Sequence, residues 1–103
     1  MQLVFASGVF ASQNFDEDLA KVDKLLQTDL PQAEIMFAEL ENSLPQLTRS
    51  QLAKYHTLYS IKHLYLSELD KANSSLELAL SFDPSEELLT RIYLYKVTIY
   101  LMQ

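Results

Sequence analysis

His56 and His63 are the only two histidines in the chain. They stand two turns apart, so they share one face of any helix that contains them. Such a pair can begin a metal site, but zinc needs further nitrogen, oxygen or sulfur ligands, and no carboxylate is spaced to join them. Both histidines therefore read as packed aromatic side chains. Asp16, Glu17 and Asp18 bring carboxylates together, but an acidic first turn complements the positive end of a helix dipole and stays solvated. Ser60 and His63 lie within one turn of each other, with no third member of a triad and no glycine-rich oxyanion loop. Cysteine is absent, which removes thiol nucleophiles, disulfides and thiolate metal sites. The phosphate-loop, dinucleotide and zinc-protease spacings are missing as well. The residues thus point to no enzyme, no metal and no cofactor.

Whatever function these side chains have must come from a surface, and the elements that build it are helical. The 103 residues are 49% hydrophobic with a single glycine, which suits one small all-α domain. Fourteen acidic against eight basic residues leave a net charge of −6, which argues against a nucleic-acid partner because a phosphate backbone needs a basic face. No apolar run is long enough to cross a membrane. The first 15 residues are apolar, and their Val9-Phe10-Ala11-Ser12 stretch is either the end of a secretory signal peptide or a short amphipathic helix. The first reading implies an extracytoplasmic or periplasmic location, the second leaves the cytoplasm open.

Five helices follow from residue 16 onward. Leu19, Val22, Leu25 and Leu26 mark the first, over 16–27. Pro31 opens the second, with the stripe Ala33, Met36, Phe37, Leu40 and Leu44 ending before Pro45. Thr48 or Ser50 caps the third, whose stripe is Leu52, Tyr55, His56, Tyr59, His63 and Leu66 and which closes near Ser67. Asp70 caps the fourth, with Ala72, Leu76, Ala79 and Leu80 turned inward. Ser85, followed by Glu86 and Glu87, starts the fifth. The run from Ile92 to Tyr100 is rich in β-branched and aromatic residues and leans to strand by propensity. Its capped start and length favour helix.

A sparse pattern occurs twice: Ala33, Phe37, Leu40 and Pro45, then Ala72, Leu76, Ala79 and Pro84 at the same internal spacings. Residues 56–84 contain His56-x₂-Tyr59-Ser60-x₂-His63 and then Ala72-x₃-Leu76, Ala79 and Pro84. This resembles the tetratricopeptide repeat, with Ser60 as the small residue at the close crossing of two helices. The first half resembles it with Asp23 where a small residue belongs. The resemblance implies an antiparallel helical-hairpin repeat array over 16–103 that acts as a non-catalytic protein–protein interaction or scaffold module. Its partner would be a protein, a peptide or a downstream domain of the same chain. The groove residues carried over by the resemblance are Lys54, Thr57, Ile61, Leu64 and Tyr65. Thr57 and Ile61 take the places where a carboxylate-gripping version has lysine and asparagine, so an apolar or intramolecular contact is expected there. In general character the stretch also resembles the helical sensory region that precedes a membrane helix in bacterial diguanylate cyclases and histidine kinases.

Two features bear on recognition. The six tyrosines are too many for one buried stripe, so some must face outward, where tyrosine serves protein recognition. Helix five carries Leu88, Leu89, Ile92, Tyr95, Ile99 and Met102, more apolar surface than helix four alone can cover. The chain reads as cut from a longer repeat array, and self-association as a symmetric dimer through residues 86–103 is expected.

Overall fold

Four of the five described helices begin where a side chain offers the first-turn N–H groups an acceptor. In a computed structural model that describes residues 14–103, Asn14 accepts from Glu17 N–H and starts α1, Phe15–Thr28. Asp29 ends α1 and in the same step caps α2, Leu30–Glu41, by accepting from Gln32 N–H, with Pro31 in the first turn. A short 3₁₀ turn, Leu44–Gln46, leads to Thr48. Thr48, not Ser50, caps α3, Arg49–Tyr65, through a reciprocal capping box with Gln51. Ser85 caps α5, Glu86–Met102, by accepting from Leu88 N–H. The apolar start at residues 1–13, including the candidate cleavage point at Ala11, lies outside the described residues.

The fourth helix departs from expectation at its start. It spans Leu69–Leu80 and follows Glu68 rather than Asp70, which lies inside its first turn. The reason is the way α3 stops. Ser67 adopts φ 59°, Glu68 N–H donates to His63 O at 2.8 Å, and Ser67 N–H donates to Leu64 O at 3.0 Å. This pair of bonds reverses the chain at once and hands it to α4. Glu68 makes no side-chain cap, because its carboxylate is engaged by His63 Nδ1 at 2.8 Å. That hydrogen bond holds the Glu68 carboxyl below the usual carboxylate range.

The described residues form an all-α array of five helices with no strand among them. The β-rich run in α5 is helical because a packed face outweighs propensities worth a few tenths of a kcal/mol per residue. Helices α3 and α4 make the most extensive contact, and α3 alone packs against all four others. Its burial reflects this: Ala53, Tyr55, Thr57, Leu58, Ser60, Ile61 and His63 are all buried, whereas the stripe read from the sequence missed Leu58 and Ile61 and included Leu66, which is exposed. A helix surrounded on several sides has no single apolar stripe to read.

Two core clusters meet on α3. One joins Leu19, Val22 and Leu26 of α1 to Ala33, Phe37 and Leu40 of α2 and to Tyr55, Leu58 and Ile61. Phe37 stands edge-on to both Tyr55 and Tyr59, at 5.7 and 5.2 Å. The other joins Ala53 to Ala72, Leu76 and Ala79 of α4 and to Leu88, Ile92 and Ile99 of α5. Ser60 and Ala72 are equidistant from Leu66, as are Ala53 and Ala79, and all four are fully buried. Small residues at these places let the α3–α4 backbones approach closely.

Candidate functional site

A recess of about 630 Å³ runs across one face of the array and is lined from α1, α3 and α5. Helix α1 contributes Leu19 and Asp23, the first turns of α3 contribute Gln51 and Lys54, and α5 contributes Arg91. A smaller recess of about 170 Å³ shares Lys54 and Arg91 and is closed at the start of α5 by Ser85 and the Glu87 carboxylate.

Asp23 is the most engaged of the charged residues lining the recess. Arg91 grips it with two bonds, Nη1 to Oδ2 at 2.9 Å and Nη2 to Oδ1 at 3.2 Å, while Lys54 Nζ stands 3.5 Å from Oδ2. Arg91 Nη2 also donates to the Tyr95 hydroxyl at 3.0 Å, and Tyr95 packs against both core clusters. Partial burial works to raise the Asp23 pKa, but the Arg91 hydrogen bonds and the two cations outweigh it and hold the carboxyl below its usual range. The Arg91 guanidinium is correspondingly held in its charged form by Asp23. At the rim, Gln51 Nε2 donates to Asp16 Oδ1 at 3.1 Å, so the residue that closes the α3 capping box also ties α3 to α1.

The electrostatic character of this recess differs from that of the chain. Lys24, Lys54 and Arg91 line the larger recess together with Asp16 and Asp23, so cations are in excess by one there although the protein carries −6. Arg91 has its fork occupied by Asp23. Lys54 has one long contact and a partly exposed side chain, which leaves it donors to offer to a further oxygen.

Of the five groove residues expected from the repeat resemblance, Lys54 lines this recess. Thr57 and Ile61 are buried, and the Thr57 hydroxyl donates to Ala53 O at 2.8 Å. Leu64 packs half-buried against the second core cluster, and Tyr65 is exposed at the far end of α3. The five do not form one surface, because the packing of α3 against all four neighbours covers the face that carries Thr57 and Ile61. Sequence reasoning missed Asp23 and Arg91 as a pair. The available signal was Asp23 itself, a carboxylate where a small residue belongs, which calls for a cation from elsewhere.

The histidines sit apart from the recess. His56 stacks on Phe82 with ring centroids 5.7 Å apart and planes 9° from parallel, and burial lowers its pKa. His63 is edge-on to Tyr59 at 4.8 Å. Among the described residues no three His, Asp or Glu side chains converge as metal ligands, and no helix is long and apolar enough to cross a membrane. Tyrosines divide between the two readings made of them: Tyr55 is buried, Tyr59 and Tyr95 are partly buried, and Tyr65, Tyr93 and Tyr100 are exposed. Comparison of the chain with protein-family models, curated proteins and solved structures finds no match.

Proposed function

We propose that the protein is a non-catalytic, tetratricopeptide-like interaction module that holds an extended acidic peptide segment in the recess between α1, α3 and α5. The observation that carries this reading is Lys54, a cation with spare donors in the lining of a recess where cations outnumber carboxylates by one, in an acidic protein. An extended segment presents carboxylates at intervals, and a charge-assisted hydrogen bond from Lys54 is about twice as strong as a neutral one. Arg91 and Asp23 act as the frame: their bidentate pair fixes α5 against α1 and so sets the width of the recess. The small-residue crossing at Ser60 and Ala72 supports the repeat-like organisation.

The test is a nuclear magnetic resonance titration with a short extended peptide bearing glutamates and its glutamine counterpart. Resonances of Gln51, Lys54 and Arg91 should shift with the glutamate peptide only. Lys54→Ala should weaken that binding about 5- to 10-fold, the equivalent of one charge-assisted contact. Equal shifts from both peptides, or shifts confined to other helices, would overturn the acidic-segment reading.

A further inference from the structure

Helix α5 carries a second surface, on the side facing away from the array. Its inner residues Leu88, Ile92 and Ile99 are buried in the second core cluster. Its outer side presents Tyr93, Leu94, Val97, Tyr100 and Leu101, exposed by 54, 61, 54, 76 and 76%. These positions, three and four apart, form one continuous stripe. Of the residues the sequence marked as surplus on this helix, Leu88, Ile92 and Ile99 are buried, Leu89 and Tyr95 partly so, and only Met102 remains exposed. The uncovered face is therefore a different set of side chains.

The stripe is symmetric about Val97. Leu94 and Tyr100 are equidistant from it, and so are Tyr93 and Leu101. A two-fold axis through Val97, perpendicular to the helix, sets Val97 on Val97 of a second copy, Leu94 on Tyr100, and Tyr93 on Leu101. Each tyrosine then meets a leucine, so the stripe is its own complement, as an isologous interface requires. The shallow hollow of about 350 Å³ between Thr90, Tyr93, Leu94 and Val97 falls where this operation brings Tyr100 and Leu101 of the second copy.

Charge selects the antiparallel direction. Between Ile92 and Gln103 the one charged side chain is Lys96, and it turns off the stripe to bond Asn73 and Glu77 on α4. An antiparallel pair centred on Val97 holds Glu86 and Glu87 of one copy far from those of the other, at opposite ends of the pair, whereas a parallel pair would set them against their own copies. The five exposed side chains of the stripe offer on the order of 600 Å² per chain, at the low end of what a specific two-partner interface buries. That is as large as the largest apolar patch a typical monomer exposes, about 300–600 Å², a size that is often functional.

We propose that the protein forms a two-fold dimer through an antiparallel pair of α5 helices centred on Val97. The reading does not depend on what the recess binds. Because the chain has no cysteine, single substitutions report the register cleanly. Under mild oxidation Val97→Cys should cross-link to itself. Tyr93→Cys should cross-link with Leu101→Cys when the two chains are mixed, but neither should do so alone. Val97→Glu should leave the circular dichroism unchanged and shift sedimentation of the dimer to monomer, weakening association at least about 100-fold. Should α5 instead be covered by another segment of the chain or by a different protein, the unsubstituted chain stays monomeric up to about 100 μM and no Val97→Cys cross-link forms. Either that result or self-cross-linking of Tyr93→Cys and of Leu101→Cys overturns the proposal.

Discussion

Arg91 of α5 holds Asp23 of α1 by two N–H···O bonds, across a sequence separation of 68 residues. It is the most distant side-chain hydrogen-bonded contact in the described chain, and it joins the two helices that flank α3. Both side chains are about three-quarters covered, so the pair is screened less than a surface bridge.

Asp23→Asn should lower stability by about 1–3 kcal/mol at neutral pH, since Arg91 and Lys54 would be left facing a neutral amide. The sign with pH follows from the depressed carboxyl: the stabilisation is complete above the unfolded-state value near 4 and is lost as pH falls through the lower folded value. Denaturant curves of the two proteins should therefore converge as pH falls below about 4. A gap that does not narrow at all as pH falls through the acid range would show that shape, not charge, is what Asp23 contributes.

His56→Phe should flatten the acid side of the stability profile. Burial lowers the His56 pKa, so the unfolded chain takes up a proton first as pH falls below about 6.5, and native stability drops in that window. Phenylalanine keeps the stack on Phe82 and removes the titration. Thermal melts from pH 7.5 to 5 should show a smaller fall in midpoint for the variant than for the unsubstituted protein.

Ala72→Leu tests the close crossing of α3 and α4. Ala72 is fully buried, and an isobutyl group there must spread the helices, at about 1–3 kcal/mol. Ser74→Leu, on the exposed side of the same helix, should change the urea midpoint little. Comparable losses from both would disprove a small-residue seam.

Ser67→Gly should stabilise the protein by about 0.5–1 kcal/mol. Ser67 sits at φ 59° in the turn that ends α3, where a β-carbon is unfavourable and glycine is the usual residue. The increase should appear in the chemical-denaturation midpoint without a change in its slope. A neutral or destabilising result would mean the serine hydroxyl makes a compensating contact.

Local chemistry was enough to establish the helices. Asp29 with Gln32, Thr48 with Gln51 and Ser85 with Leu88 are contacts within a few residues, so the starts of α2, α3 and α5 were legible in the sequence from Pro31, from Thr48 or Ser50 and from Ser85, as were the inward stripes of α1, α2 and α4, which each bury one face. The start of α4 was not, because it depends on the left-handed turn at Ser67 and on His63 occupying Glu68. Tertiary packing alone decided which side of α3 is open and what α5 leaves uncovered. Burial of Thr57 and Ile61 follows from four neighbouring helices, and no helical period encodes how many neighbours a helix will have. The recess likewise depends on Asp23 meeting Arg91 from the far end of the chain. A single charge in a sequence names no partner, and only the docking of α5 beside α1 supplies one.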